Sequence, residues 1–157
     1  MRKSFLYLPI LFAFMLTVIS CGKTVVEPTA TENLTKNWYV SIAKEGAVQV
    51  YQKNGSTNTV PGYGGYRLVL AAASLATLTA VDGNSFTGNW ALSTDNKTLT
   101  LTNLKNSAGQ TPTGSNPVGT IVYNITSVIT ATTVTLETVS PDLKAGNKVV
   151  NLQLVNP

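Results

Sequence analysis

Residues 86–102, FTGNWALSTDNKTLTLT, alternate between apolar and polar side chains over two short runs. In the first run Phe86, Trp90 and Leu92 are separated by polar or small residues, and in the second run leucines alternate with threonines. A period of two is typical of a β-strand that is buried on one face. The residues between the runs, STDNK at 93–97, include Asp and Asn, which favour tight turns. This stretch therefore predicts an antiparallel β-hairpin.

The same alternation recurs on both sides of the hairpin, and it predicts further strands at residues 38–43, 48–51, 66–70, 76–80, 121–126, 133–137 and 150–154. In the first of these, Trp38, Val40 and Ile42 share the predicted apolar face. Short strands at regular spacing, separated by turn residues, predict an all-β fold. We expect an antiparallel meander of eight or nine strands that closes as an up-and-down barrel, with a β-sandwich as the alternative. Two longer loops, 53–65 and 105–117, break the rhythm, and the second is predicted to be a flexible connector.

The N-terminal segment is predicted to be a signal peptide, residues 1–20. Arg2 and Lys3 precede an apolar run over residues 5–19, which is shorter than the roughly 20 residues that span a bilayer as a helix. The run ends in Val18-Ile19-Ser20-Cys21, which resembles the lipobox of bacterial lipoproteins. The resemblance implies cleavage before Cys21 and lipidation of that residue; the alternative is an ordinary signal peptide with a coincidental cysteine.

The predicted organisation is therefore a signal peptide at 1–20, a lipidated Cys21 with a tether over 21–34, and one β domain over 35–157. A chain that begins at Cys21 carries nine basic and seven acidic residues, a net charge of +2. No basic cluster or stripe stands out in the sequence, which argues against a nucleic-acid partner. The sequence does not determine an oligomeric state.

The composition argues against most enzymes. The sequence contains no His, one Cys and only seven carboxylates, and charged residues make up 11% of the chain, against about 25% in a typical soluble domain. Without an imidazole base or a second thiol, no catalytic pair and no metal-ligand spacing can be recognised. We therefore expect no catalytic residue, no metal and no cofactor.

The region from Trp38 to Leu154 resembles the lipocalin-like domain of many small bacterial lipoproteins. The resemblance is carried by an early Trp in LTKNW (34–38), by YRLVL (66–70), by GNWAL (88–92) with DNKTLTL (95–101), and by YNITS (123–127) with TVTL (133–136). It implies a lipocalin-like barrel that carries a small ligand. The first strand departs from the lipocalin Gly-x-Trp pattern, because Lys36 stands at the glycine position.

Three tyrosines are candidate ligand contacts: Tyr51, Tyr63 and Tyr66. They lie in or beside the glycine-rich loop PGYGG at 61–65. At a barrel mouth such a loop presents aromatic rings to a sugar or a lipid; the alternative is a flexible connector. The loop matches no phosphate-binding pattern, since neither a Lys-Ser/Thr pair nor a helix follows it.

Other conspicuous side chains have structural explanations. Trp38 and Trp90 are predicted to pack in the core, with a cavity-lining role as the alternative. Arg67 is predicted either to stack on one of these indole rings or to be exposed. Asp82 and Asp95 occupy turn tips, where a carboxylate accepts local backbone N–H groups.

These observations predict a lipid-anchored, non-catalytic envelope lipoprotein that binds a small hydrophobic ligand or a glycan. The alternative is a structural or protein-interaction module without a pocket. Gly22, rather than Asp, follows Cys21, and by resemblance to lipoprotein sorting rules this predicts the outer membrane. We expect its periplasmic face, with the cell surface as the alternative.

Overall fold

The computed structural model describes residues 27–157, which form a nine-stranded antiparallel sheet. Helix α1 spans Ala30–Leu34 and precedes the first strand. The strands are β1 (Asn37–Glu45), β2 (Val48–Gln52), β3 (Arg67–Leu70), β4 (Leu75–Thr79), β5 (Ser85–Leu92), β6 (Thr98–Lys105), β7 (Ile121–Ile125), β8 (Thr133–Thr138) and β9 (Val150–Val155). Eight of them close into a barrel, and β2 is the additional strand. The predicted all-β barrel is confirmed, and the architecture is not the alternative sandwich.

Strand β1 closes the barrel because it pairs with three other strands. Residues 37–39 pair with β3, and residues 39–45 pair with β9, the last strand of the chain. Since β9 occupies one edge of β1, β2 and β3 must share the other edge. There β2 pairs with residues 42–45 of β1. From β3 to β9 each strand pairs with the next one in sequence, which is the predicted up-and-down order.

The barrel interior is filled by the apolar face of each strand. Phe86 and Trp90 of β5 and Leu99 and Leu101 of β6 are all buried, as the alternation predicted. Trp38 on β1 is fully buried. Large side chains therefore occupy the space that a ligand-carrying barrel leaves open.

Two β-bulges shift which residues point inward, and the sequence pattern did not predict them. In β1 the register shifts between Val40 and Ile42, so Ala43 is buried in place of Ile42. The prediction that Ile42 shares the face of Trp38 is therefore wrong. The reason is the extra residue of a bulge, which moves every later side chain to the opposite face.

The second bulge lies between β5 and β6. Gly88 of β5 faces Asn103 and Leu104 of β6, because the pairing jumps from Thr87–Lys105 to Asn89–Thr102. A Cβ atom at position 88 would lie 2.3 Å from the carbonyl oxygen of Thr102. Only glycine permits this approach of the two backbones. The bulge turns Leu104 into the core, where it is fully buried.

Helix α1 lies at the end of the barrel where β1 begins. Thr29 and Glu32 form a capping box, in which each side chain accepts a backbone N–H of the other residue. Leu34 is fully buried, and its carbonyl oxygen accepts a hydrogen bond from Nε1 of Trp38 at 2.9 Å. The predicted tether, 21–34, therefore extends too far: residues 30–34 belong to the folded domain because the core needs Leu34. Along residues 27–157 no helix is both long and apolar enough to cross a bilayer.

Candidate ligand-binding cleft

The end of the barrel opposite α1 carries a small cleft, which we call the mouth cleft. It encloses about 50 Å³. Apolar side chains of β4, β7 and β9 form its walls, polar side chains form its base and rim, and residues of the loop between β6 and β7 cover one side. Its lining comprises Tyr63, Tyr66, Leu78, Ala80, Val81, Pro112, Thr113, Ile121, Tyr123, Thr138, Asp142, Lys144, Val150 and Leu152.

A shallower depression, the side groove, adjoins the mouth cleft and has a volume of about 200 Å³. Thr113, Tyr123 and Asp142 line both spaces. The remaining lining of the side groove comes mostly from uncharged residues of two loops, 113–116 and 138–141. A ligand that places one group in the mouth cleft can therefore extend its remaining part into the side groove.

Two tyrosine hydroxyls meet in the lining of the mouth cleft. The Oη atoms of Tyr66 and Tyr123 are 3.0 Å apart and form a hydrogen bond. Two hydroxyls bring two hydrogens, and one bond uses only one of them. Within residues 27–157 neither hydroxyl has a second partner, so the pair keeps one O–H that is free to donate to a bound group.

Burial keeps this pair uncharged. It raises the pKa of Tyr66 well above its ordinary value. For Tyr123 burial also raises the pKa, to about 12, although the hydrogen bond with Tyr66 acts in the opposite direction. The charge of Asp142 adds to the increase at both residues. Both phenols are therefore neutral donors and acceptors at physiological pH.

Tyr63 reaches the mouth cleft through the turn at Pro61–Gly64. Gly62 allows this turn to lie against the neighbouring hairpin, because a Cβ atom there would be 2.3 Å from the carbonyl oxygen of Val81. The Tyr63 hydroxyl donates to Oε1 of Glu45 at 3.1 Å. Burial, followed by the charge of Glu45, raises the pKa of Tyr63.

Asp142 is the carboxylate at the rim of the mouth cleft. Its Oδ1 accepts the backbone N–H of Lys144 at 2.8 Å and caps the short helical turn Leu143–Ala145. Within the described residues its other oxygen, Oδ2, accepts no hydrogen bond. Asp142 therefore offers one acceptor close to the tyrosine pair.

An ion pair joins two loops at the same rim. Nζ of Lys144 lies 2.6 Å from Oδ2 of Asp82, which sits in the turn between β4 and β5. Partial burial of Asp82 opposes ionisation, but hydrogen bonds from Lys144 and Asn84 hold its pKa below the ordinary value. Asp82 thus has the predicted turn role and a second one, which is to fix Lys144.

The structure brings together two of the three predicted ligand contacts. Tyr63 and Tyr66 line the mouth cleft. Tyr51 is not in its lining; its ring packs behind that of Tyr63, with centroids 6.4 Å apart. Sequence reasoning missed Tyr123 as a site residue, although its inward position on β7 followed from the alternation. Its partner, Tyr66, lies 57 residues away in the chain.

The loop predicted as a flexible connector, 105–117, is instead folded over the barrel end. The Asn106 side chain accepts the backbone N–H groups of Ala108 and Gln110 and also donates to the Gln110 side chain. Pro112 is buried and lines the mouth cleft. Local side-chain hydrogen bonds order a loop whose composition alone suggests flexibility.

The remaining predicted residues are explained by packing. Trp90 is buried, and its Nε1 donates to the carbonyl oxygen of Ala71 at 2.9 Å. The guanidinium of Arg67 stacks on Tyr39, 4.2 Å from the ring centroid, rather than on an indole ring as predicted. The cross-strand pairing of these two residues on β1 and β3 explains the contact. Cys21 and the predicted signal peptide lie outside the described residues.

In residues 27–157 no group of three or more acidic, Cys or His side chains is placed to hold a metal ion. Glu45 accepts a hydrogen bond from Tyr63, and Asp142 lies at the rim of the mouth cleft. The mouth cleft therefore offers neutral hydroxyl groups and one carboxylate to a ligand.

No protein-family model matches the chain, and no curated protein matches it. Among solved structures, the chain is similar to an uncharacterized protein from Bacteroides eggerthii, at 14% sequence identity and a TM-score of 0.43. The similarity covers 79% of this chain and 99% of that protein.

Proposed function

We propose that the protein is a lipid-anchored, non-catalytic lipoprotein of the bacterial envelope whose barrel binds a neutral glycan at the mouth cleft. The observation that carries the proposal is the buried Tyr66–Tyr123 hydroxyl pair, which retains one unused O–H in a cleft that Asp142 also lines. Paired neutral donors and acceptors in a concave site are what sugar hydroxyl and amide groups require.

The filled interior and the hydroxyl and amide side chains of the side groove support a glycan over the hydrophobic ligand that the sequence also allowed. Pockets for drug-sized molecules measure about 300–1,000 Å³, whereas the mouth cleft measures about 50 Å³. A lipid chain has no room in the filled interior. A small group of a glycan fits the cleft, with the rest of the ligand in the side groove.

The test is a glycan array probed with the full-length chain in detergent. We expect binding to neutral glycans and its loss in Ala80→Leu, because the larger side chain fills the mouth cleft that Ala80 lines. Ala91→Leu is the matched control, since Ala91 is exposed on β5. An array without any bound glycan would refute the proposal. Equal losses in the two variants would also refute it.

A second candidate function is a protein-interaction module, as the sequence also allowed. It is favoured by the filled interior together with three exposed apolar side chains at the mouth end, Val118, Val139 and Leu143. Apolar side chains that form one exposed patch are typical of contact surfaces, and this candidate requires the three to form such a patch. This candidate predicts that no glycan on the array is bound. It also predicts that Val139→Lys lowers the affinity of the domain for a partner protein of the envelope.

The lipid anchor and the envelope location are part of the proposal. They are supported by the Val18-Ile19-Ser20-Cys21 sequence after a short apolar run. The folded domain begins near Thr29, so a short segment of chain would separate it from an acylated Cys21.

A further inference from the structure

We propose that the chemical group held in the mouth cleft is an acetamido group, so that the preferred ligands are N-acetylated amino sugars. This inference rests on the proposed glycan-binding function and narrows it to one ligand class.

The size of the mouth cleft matches a group of a few atoms. A cavity needs about 10–15 Å³ to hold one water. The mouth cleft, at about 50 Å³, therefore exceeds the space for one water but is far smaller than the roughly 300–1,000 Å³ of a pocket that encloses a whole ligand. The methyl, carbonyl carbon, oxygen and nitrogen of an acetamido group are a set of this size.

The polar atoms of the site are complementary to an amide. The free O–H of the Tyr66–Tyr123 pair can donate to the amide oxygen. Oδ2 of Asp142, at the rim, can accept the amide N–H. The methyl group would then lie against apolar walls such as Leu78 and Leu152. An amide in this position leaves neither its own polar atoms nor those of the site unpaired.

A free amino group fits the same site less well. An ammonium ion in the mouth cleft would be partly desolvated, at a cost that is large for a charge without full pairing. Asp142 is the one carboxylate in the lining, and its Oδ1 already accepts the backbone N–H of Lys144. A ligand ammonium, with three N–H donors, would therefore find a single open carboxylate oxygen. The neutral, acetylated form of an amino sugar is therefore preferred.

The side groove favours a sugar over an acetylated peptide. Besides Asp142, its polar lining consists of hydroxyl and amide side chains, including Thr113, Ser115 and Asn116. These uncharged donors and acceptors suit a ring that carries hydroxyl groups. An acetylated lysine would instead need a narrow apolar channel for its methylene chain.

The experiment is calorimetric titration of the full-length chain in detergent with three disaccharides. They are N,N′-diacetylchitobiose, its fully deacetylated form and cellobiose, which differ only in the substituent at C2 of each ring. We expect binding of the first to be roughly tenfold tighter than that of the other two, as for a site that loses a matched hydrogen-bonding group. An acetyl-lysine peptide serves as a fourth ligand and is expected not to bind.

The decisive variant is the double change Tyr66→Phe and Tyr123→Phe. Removing both hydroxyls leaves no polar atom unpaired, so we expect the fold to be retained. A single change would leave one hydroxyl still able to donate. The double variant should abolish the preference for the acetylated disaccharide, and Tyr51→Phe, a hydroxyl removal outside the cleft, should preserve it. A melting temperature measured on each variant verifies folding.

The possible failures are distinguishable. Equal binding of all three disaccharides would overturn the acetamido assignment and leave glycan binding intact. Tighter binding of the acetyl-lysine peptide would overturn the choice of a sugar. Binding of no glycan in the array as well as in the titration would refute the proposed function itself.

Discussion

At the scale of single residues, the interior of this barrel contains three buried tyrosines whose hydroxyls are all hydrogen-bonded. Tyr66 pairs with Tyr123, and Tyr63 bonds to Glu45. Each buried phenol has a raised pKa, with burial as its largest cause. Because the unfolded chain exposes these groups, their ionisation is linked to folding.

This linkage predicts that the protein loses stability in alkali. The folded-state pKa of Tyr123 is about 12, above the unfolded value of about 10. The folded state therefore holds its proton more tightly, and the free energy of unfolding is unaffected below about pH 10 and falls above it. Tyr123 alone accounts for a loss of about 2–3 kcal/mol by pH 12. Urea unfolding at pH 8, 10, 11 and 12 measures the effect.

The double variant Tyr66→Phe and Tyr123→Phe is the control for this pH dependence. It should lose stability less steeply above pH 10 than the unaltered protein, because two of the linked groups are gone. An identical decline in both proteins would contradict the assignment of the effect to this pair.

Trp90 is predicted to contribute strongly to stability. Its ring is 6% exposed and its Nε1–H is hydrogen-bonded to Ala71. Trp90→Ala should lower the free energy of unfolding by about 3–5 kcal/mol, a large share of the roughly 5–15 kcal/mol of a typical domain. Asn89→Ala, an exposed neighbour on the other face of β5, should change it by about 0.5 kcal/mol. Similar urea midpoints for the two variants would contradict the assignment of Trp90 to the inner face of β5 and of Asn89 to its outer face.

At the scale of elements, the bulges determine which side chains enter the core. The bulge opposite Gly88 brings Leu104 inward, and the bulge in β1 does the same for Ala43. Each adds one residue to one strand and so reverses the alternation beyond it. In β1 and β6 the buried side chains therefore follow one alternation before the bulge and the opposite alternation after it.

Gly88 is predicted to be intolerant of a side chain. In Gly88→Ala the new methyl group would meet the backbone of β6, so the strands must separate locally, and we expect a loss of about 1–3 kcal/mol. Gly65→Ala is the matched control, because Gly65 has φ −87° and a Cβ atom there meets its nearest neighbour at 3.4 Å. The control should be neutral or slightly more stable. Thermal unfolding of both variants measures the difference. Equal melting temperatures would contradict the prediction, because they would show that β6 can move away from the new methyl group without a loss of stability.

At the scale of the whole molecule, one end of the barrel is closed by α1 and the other carries the mouth cleft. The chain enters the domain at α1. An anchor at Cys21 would therefore lie on the α1 side, and the mouth cleft would face away from the membrane. This orientation suits a protein that receives a ligand from solution.

The lipid anchor is predicted to determine where the protein is found. Acyl chains at Cys21, at about 0.8 kcal/mol per buried CH₂, would hold the protein stably in a membrane. Cys21→Ser should abolish this attachment, so that the variant is released or left unprocessed. Membrane fractionation and gel migration measure both outcomes. A variant that fractionates and migrates like the unaltered protein would rule out lipidation.

Protease added to intact cells should spare the protein, because we expect it on the periplasmic face of the outer membrane. Rapid cleavage would instead indicate the cell surface.

The positions of all nine strands, and the inward face of most of them, were predicted from the amino-acid sequence. This was possible because the alternation of apolar and polar side chains is local: each strand must bury one face, whatever its partner. The same locality explains the roles of Asp82 and Asp95 in their turns. Tyr63 and Tyr66 were predicted as candidate site residues because they lie in or beside a glycine-rich loop, which is also a local feature of the sequence.

The way in which these strands and loops combine is visible only in the three-dimensional structure. Closure into a barrel depends on the pairing of β1 with β9, from opposite ends of the domain, and no local pattern reports such a pairing. The bulges, the burial of Leu34 and the meeting of Tyr66 with Tyr123 have the same origin. Each requires groups far apart in the chain to be brought into contact, and the volume left between them is set by the packing of the whole core.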